Sequence, residues 1–368
     1  MNIYYLVLSD IHLGHNINKT DNIITNLRYF FNTYNKQLKN VNMIFLAGDI
    51  FDKLLVNSGN DYILAMNWLT ELVLYCKKHN IILRILEGTP SHDWKQMSSF
   101  SNIIKDLNVD IDYKYIDTLD IEYIAKYNLY ILYIPDEYKH NANDTLIDVK
   151  KLLKKINLTN VDIAIMHGQF NYQLPITLES SHNESEYLSI VKHYIHIGHI
   201  HTHSVKDRII AQGSFDRLAH NEEENKGGVL VNLTDTNKQW WFLNNDRAMI
   251  FKTYKIDNTD LEYVIKYLDK ELKKLPVNSN VRLIITDDDF ITQNATSIKL
   301  RYSRVNIKFQ KVKQEEEIKN TLIPKELLIT SFNITKDNIV ELMDKEMEKF
   351  NLTSEQLKIY KKELSNVI

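Results

Sequence analysis

The feature that most constrains this chain is a series of short, continuous apolar runs rich in β-branched residues. IYYLVLS, NMIFLAG, IILRILEG, LYILYIP, DIAIMHG, HYIHIGH, RIIAQGS and GGVLVNL all read as strands. Between the early runs lie NIITNLRYFFNTYNKQL, YILAMNWLTELVLYCKKH and TLIDVKKLLKKIN, whose apolar residues recur at helical spacing. Unbroken apolar strands alternating with amphipathic helices require a sheet covered on its faces, so the first two-thirds of the chain is an α/β domain. In such domains chemistry collects at the carboxyl ends of strands.

Those ends carry an unusual set of residues. The first strand closes on SDIHLGH with Asp10 and His12, and the second on AGDIFD with Asp49 and Asp52. The third gives EGTPSHDW with His92 and Asp93, a middle strand gives MHGQ with His167, and HYIHIGHIHTHS holds five of the thirteen histidines. Cys76 is the single cysteine, which excludes an intramolecular disulfide and a multi-thiolate zinc site. Carboxylate oxygen and imidazole nitrogen alone suit Mn²⁺, Fe²⁺ or Zn²⁺, and there are more of them than one ion needs. Two ions about 3.5 to 4 Å apart, sharing a carboxylate, would use the whole set and would clamp both oxygens of an in-line phosphoryl displacement.

SDIHLGH, GDIFD, the SHD of GTPSHD, MHG and GHIH, in that order, resemble the five motifs of the calcineurin-like metallophosphoesterase superfamily. QGSFDRLAHNEEENKGG is similar to the segment that follows the last motif in the SbcD nuclease family of DNA double-strand-break repair. The resemblance covers about residues 4 to 228 and implies a sandwich of two β-sheets flanked by helices. It assigns Asp10, His12 and His201 to a first metal, Asp49 to a bridge, and His167 with His199 to a second metal. His92 would protonate the leaving oxygen, with Asp93 orienting its ring. It further implies two Mn²⁺ (Mg²⁺, Fe²⁺ and Zn²⁺ being alternatives), 3′-to-5′ exonuclease and endonuclease activity in DNA repair, recombination and replication, a homodimer, and an SbcC-like SMC-type ATPase partner.

The third motif departs from the superfamily's Gly-Asn-His-Asp/Glu. Thr89, Pro90 and Ser91 separate Gly88 from His92, so either Ser91 or water would stand in for the asparagine as a second-metal ligand. Asp52 is a metal-site acid or an ordinary loop residue. In an extended GHIH, His199 and His201 project to the same side. His203 shares that parity but lies beyond the motif, where an ordinary structural role is the simpler account. His196, of opposite parity, is expected in the core, and His193 at a helix end, where a cation favours the dipole. His15 follows the first motif closely enough to touch substrate.

DNA contacts are less sharply marked. Lys299, Arg301, Arg304, Lys308, Lys311 and Lys313, interleaved with Tyr302 and Phe309, form the densest basic stretch, either a phosphate-tracking stripe or a solvated face. Arg217, in the GSFDRL segment, is expected near the mouth of the site. The formal charge of −3 excludes a uniformly basic coating protein.

Three regions are expected: a nuclease domain over 1–246, an α+β cap over 247–325, and a helical segment over 326–368 that would grip the ATPase. The cap is read as a strand at MIFKTYKI, a helix at DLEYVIKYLDKELKKL, and strands around VRLIITD and SIKLRYSRVNIKFQKV. The apolar opening MNIYYLVLSD is too short for a signal h-region and no window reaches membrane-spanning length, so a cytoplasmic protein without membrane contact is expected. Two other functions fit the same residues: a phosphoesterase for nucleotides or small phosphate esters, and a catalytically weak scaffold that docks the ATPase to DNA.

Overall fold

Two six-stranded mixed sheets lie face to face in a computed structural model that describes residues 2–106, 109–175, 177–234 and 238–311. The strands are β1 (Ile3–Leu8), β2 (Met43–Ala47), β3 (Ile82–Leu86), β4 (Tyr113–Ile116), β5 (Asp120–Ile124), β6 (Leu129–Ile134), β7 (Ile163–His167), β8 (Ile195–Gly198), β9 (Ser204–Lys206), β10 (Ile209–Ala211), β11 (Gly227–Leu233), β12 (Lys238–Asn244), β13 (Phe251–Ile256), β14 (Asn280–Ile285) and β15 (Asn306–Lys311). The first sheet runs β12-β11-β1-β2-β3-β4 and the second β5-β6-β7-β8-β10-β9. Within them β1 to β4 are mutually parallel, as are β6, β7 and β8.

The period-2 geometry of a strand explains why these runs are apolar throughout. In β1, Leu6 and Leu8 pack under the helices Thr20–Thr33 and Asn60–His79, while Tyr5 and Val7 face the second sheet. β2 repeats this with Ile44 and Leu46 on the helical side and Phe45 and Ala47 between the sheets. In β7, Ile163 and Ile165 meet the first sheet, and Ala164 and Met166 meet the core shared with the helices Ala142–Lys155 and Glu184–Ile190. The order helix, sheet, sheet, helix follows from that double burial. Each fully buried side chain of this size contributes about 1.5–3 kcal/mol relative to exposure.

A third sheet, β13-β14-β15, has its own core of Val264, Leu268, Val281, Leu283 and Ile298 with the helices Leu261–Leu272 and Asp288–Arg301. Met1–Gln310 form one compact unit that includes this sheet. The expected strand beginning at SIKLR is instead the last turn of the helix Asp288–Arg301. Asp287 caps that helix by accepting from the backbone N–H groups of Asp289 and Phe290, and Ile298 is buried on the small sheet. Pairing resumes only at Asn306. The expected segment 326–368, Lys313 and the side chain of Lys311 lie outside the described residues. Among the described residues no helix is long and apolar enough to cross a membrane.

Candidate metal centre

The two parallel sets of strands point the same way, so the residues after β1, β2, β3, β6, β7 and β8 meet at one edge of the sandwich. Asp10, His12, Asp49 and His199 all have φ between 51° and 95°, the left-handed region that non-glycine residues rarely adopt. Four strained residues at the ends of three strands, β1, β2 and β8, aim their side chains inward. The loops are laced together: Ile11 and His12 donate their N–H groups to the Asp49 carbonyl, and Asp10 donates to that of Gly48. Two glycines are required by proximity. A Cβ on Gly88 would lie 2.1 Å from the Asp49 nitrogen, and one on Gly48 would lie 2.2 Å from His167 Nδ1.

Three overlapping groups of ligand atoms result, each within 4.8 Å: Asp10, His12 and His201; His12, Asp49 and His92; Asp49, His167 and His199. Asp10, His12, Asp49 and His167 are buried, and His92, His199 and His201 are half-buried. Asp49 stands between the outer groups, with Oδ1 3.3 Å from His167 Nε2 and Oδ2 3.0 Å from His92 Nδ1.

The tautomers follow from what each ring touches. His167 Nδ1 donates to the Ala47 carbonyl at 2.7 Å, and His201 Nδ1 donates to Glu222 Oε1 at 2.8 Å. In their neutral forms both rings therefore present an Nε2 lone pair to the cluster. His12 Nδ1 lies 3.3 Å from Asp52 Oδ1, and His12 Nε2 faces His201 Nε2 at only 3.1 Å. Lone pairs and carboxylates converge here, and no Arg or Lys amine contacts Asp10 or Asp49 among the described ion pairs. Asp10 Oδ2 and His167 Nε2 are buried without a hydrogen-bond partner. Such a donor set fits divalent cations bound by oxygen and nitrogen.

The protonation energetics express the same demand for positive charge. Burial alone would lower the His167 pKa, but the Asp49 and Asp10 carboxylates raise it well above the ordinary value. For Asp49 burial would raise the pKa, and His167, His92 and His12 bring it well below the usual carboxylate range. The hydrogen bond to Asp49 raises the His92 pKa against partial burial, which favours the protonated ring.

Several positions differ from expectation. Asp93 does not touch the His92 ring. It is fully buried and accepts from the backbone N–H groups of Asp49 (3.1 Å), Phe51 (2.9 Å) and Gly88 (2.7 Å), so it fixes the two loops that carry Asp49 and Thr89. Burial and the nearby Asp49 and Glu87 carboxylates push its pKa up, against those donors. His92 is oriented by Asp49 itself.

Ser91 is exposed, and its carbonyl accepts from Trp94 Nε1. The residue that reaches the second group is Thr89. Its N–H donates to Asp49 Oδ1 at 2.6 Å, and its hydroxyl lies 3.0 Å from Asp136 Oδ2 and 3.3 Å from both Asp49 Oδ2 and His199 Nδ1. Thr89 directly follows Gly88, so the chain's tight passage past Asp49 delivers residue 89 and carries residue 91 outward.

Asp136, Glu222 and Lys226 were not singled out from the sequence. Asp136 follows β6 by two residues in LYILYIPD, the same strand-then-acid pattern as the other ligand loops, and lies 3.5 Å from His199 Nδ1. Glu222 sits in the NEEENK segment. Burial would raise its pKa, but His201 and Lys226 bring it to about 2. Lys226, itself buried, pairs with Glu222 (3.2 Å) and Glu224 (2.7 Å) and donates to the His201 carbonyl (2.9 Å).

His196 is in the core as expected, bonded to Tyr5 Oη at 3.0 Å and Gln212 at 2.8 Å. His203 donates to the Ala211 carbonyl and packs on Phe242, a structural role. His193 follows the helix Glu184–Ile190 by three residues. His15 accepts from the Asn18 N–H and lies within electrostatic reach of Asp52, His12, Glu222 and His201; burial lowers its pKa. Arg217 is not aimed at the site: its guanidinium donates to the carbonyls of Glu224, Ala248 and Met249, pinning this loop to the start of the small sheet.

The expected basic stripe is divided. Lys299 and Arg301 are on the helix, Arg304 is in the following turn and Lys308 is on β15. Arg301 pairs with Asp269 at 3.0 Å, Arg304 donates to the Leu275 carbonyl, and Lys299 and Lys308 are exposed.

The chain matches no family model and no curated protein. A solved crystal structure aligns with 66% of this chain and 100% of its own length, at 10% identity and a TM-score of 0.41, a likeness too slight to carry an argument.

Proposed function

We propose that this protein is a dinuclear-metal phosphodiesterase of the calcineurin-like superfamily, an SbcD-type nuclease that hydrolyses DNA. The observation that carries the reading is the pair of buried ligand groups on either side of Asp49, with His92 hydrogen-bonded to that carboxylate. Two divalent ions held by Asp10, His12 and His201 on one side and Asp49, His167 and His199 on the other would supply water activation and stabilisation of charge on the phosphoryl oxygens. His92 commits Nδ1 to Asp49, which leaves Nε2 as the atom that passes a proton to the leaving oxygen. Glu222 holds the His201 ring, the Ala47 carbonyl holds that of His167, and Asp93 holds the Asp49 loop. Mn²⁺ as the native ion, 3′-to-5′ polarity, the homodimer and the SbcC-like ATPase partner belong to the same proposal.

One observation favours a second reading, hydrolysis of nucleotides or small phosphate esters. Arg217, Arg301 and Arg304 are engaged by groups of the protein itself, which leaves fewer cations to follow a DNA backbone. A nuclease assay on labelled linear duplex and single-stranded DNA with Mn²⁺, Mg²⁺ or chelator, run beside a nitrophenyl phosphodiester, separates the two. Metal-dependent DNA cleavage far above background supports the nuclease. Turnover of the small ester alone supports the second reading, and no metal-dependent turnover of either overturns both.

A further inference from the structure

A cleft of about 820 Å³ opens beside the candidate metal centre, between the turn after β3 and the turn after β6. Pro90, Ser91 and Trp94 form one wall, and Pro135, Glu137 and Tyr138 the other. It is continuous with the ligand cluster through Asp136, which lines the cleft, accepts from the Thr89 hydroxyl and lies 3.5 Å from His199 Nδ1. Trp94 follows His92 by two residues and is 55% exposed, a large apolar surface at the edge of a polar site. It is not loosely held. Its backbone is left-handed at φ 50°, its N–H donates to the Pro90 carbonyl, and its indole Nε1 donates to the Ser91 carbonyl at 2.7 Å.

The polar lining argues against a phosphate in this cleft. Glu87 is occupied by the Lys95 N–H and the Tyr115 hydroxyl, and Asp117 by the Lys95 amine, so the cleft's one lysine is neutralised. Asp136 accepts from the Glu137 N–H and the Thr89 hydroxyl, so what remains is a rigid, exposed indole face and the exposed Glu137 carboxylate. That combination fits a flat heteroaromatic ring bearing N–H donors. We infer that the cleft is a nucleobase subsite in which the base adjoining the scissile phosphate stacks on Trp94, with the Glu137 carboxylate of the opposite turn accepting from its amino group. The inference rests on the phosphodiesterase reading, because it needs the phosphate of the same nucleotide at the metal centre.

The test uses the full chain, its Trp94→Ala and Trp94→Tyr variants, and two fluorescent single strands, one of natural bases and one of tetrahydrofuran abasic units. Binding is measured by anisotropy in EDTA and cleavage in Mn²⁺. Base–aromatic stacking lost on alanine substitution corresponds to about 5- to 150-fold weaker binding. Trp94→Ala should therefore bind the natural strand weaker by that factor, Trp94→Tyr should recover most of it, and the abasic strand should bind all three proteins alike. Equal weakening on both strands would assign Trp94 a purely structural role in the His92 turn and overturn the subsite, as would no weakening on either. Wild-type cleavage of DNA is the separate check: cleavage with Trp94-independent binding removes the subsite alone, and absence of cleavage removes the nuclease reading and the subsite with it.

Discussion

Replacing Glu222 tests whether a buried acid with no expected role sets the affinity of the first ion. Glu222 Oε1 accepts from His201 Nδ1 at 2.8 Å, fixing the ring so that Nε2 faces Asp10 and His12. Glu222→Gln keeps an acceptor of the same size but exchanges a charge-assisted hydrogen bond of about 1.5–3 kcal/mol for a neutral one of about 0.5–1.5 kcal/mol. The loss of about 1–1.5 kcal/mol corresponds to roughly 5- to 10-fold in affinity for the ion at Asp10, His12 and His201. Glu222→Ala removes the orienting acceptor and should cost about 10- to 100-fold, the usual range for such partners. The fold should survive, since Lys226 keeps Glu224 at 2.7 Å and the His201 carbonyl at 2.9 Å. Mn²⁺ binding by calorimetry or electron paramagnetic resonance, with thermal unfolding in chelator as the control, measures both. Wild-type Mn²⁺ affinity in both variants would refute the reasoning.

Further outcomes follow from the same geometry. Asp49→Ala should abolish paired metal binding and activity, whereas His92→Ala should keep both ions and lose about 10²- to 10⁴-fold in turnover; equal metal loss in the two would remove the proton-donor role. Thr89→Val, which deletes the hydroxyl shared by Asp49, Asp136 and His199, should weaken the second ion by about 2- to 10-fold in a Mn²⁺ titration, while Ser91→Ala leaves it unchanged. Asp93→Asn turns an NH₂ toward buried backbone N–H groups and should cost at least about 1–3 kcal/mol in urea unfolding without metal; unchanged stability would contradict its loop-holding role. Burial depresses His196 to about 3 from 6.5, so the unfolded chain binds its proton first and stability falls as pH drops from about 6.5 toward 3. His196→Gln should make that decline shallower in melting temperatures taken from pH 6.5 to 4.5, and an identical slope would show that His196 does not contribute.

The local pattern of the chain already determined eight of the twelve strands of the two large sheets, missing the less apolar β4, β5, β9 and β12, and the residue types at their ends. Continuous apolar runs such as IYYLVL and MIFLA can only be buried on both faces, and a turn that follows a buried parallel strand is one of the few places for Asp, His and Gly together. Strand alternation put His196 in the core, but β8 ends at Gly198 and His199 turns at φ 95°, so GHIH is not extended as expected and His199 and His201 reach the cluster from a loop. Basic residues at SIKLRYSR carried no such signal: a local Asp287 cap and the burial of Ile298 made that segment a helix, and the Ile298 contact depends on packing in the core of the small sheet. Tertiary structure alone decided which neighbour each ligand would have. Thr89 rather than Ser91 reaches Asp49 because Gly88 passes within a Cβ's distance of it, Asp93 holds loops rather than a ring, and Glu222 and Lys226 arrive from more than twenty residues along the chain to orient His201. These are relations between segments distant in sequence, set by how two sheets stack, and no local periodicity encodes them.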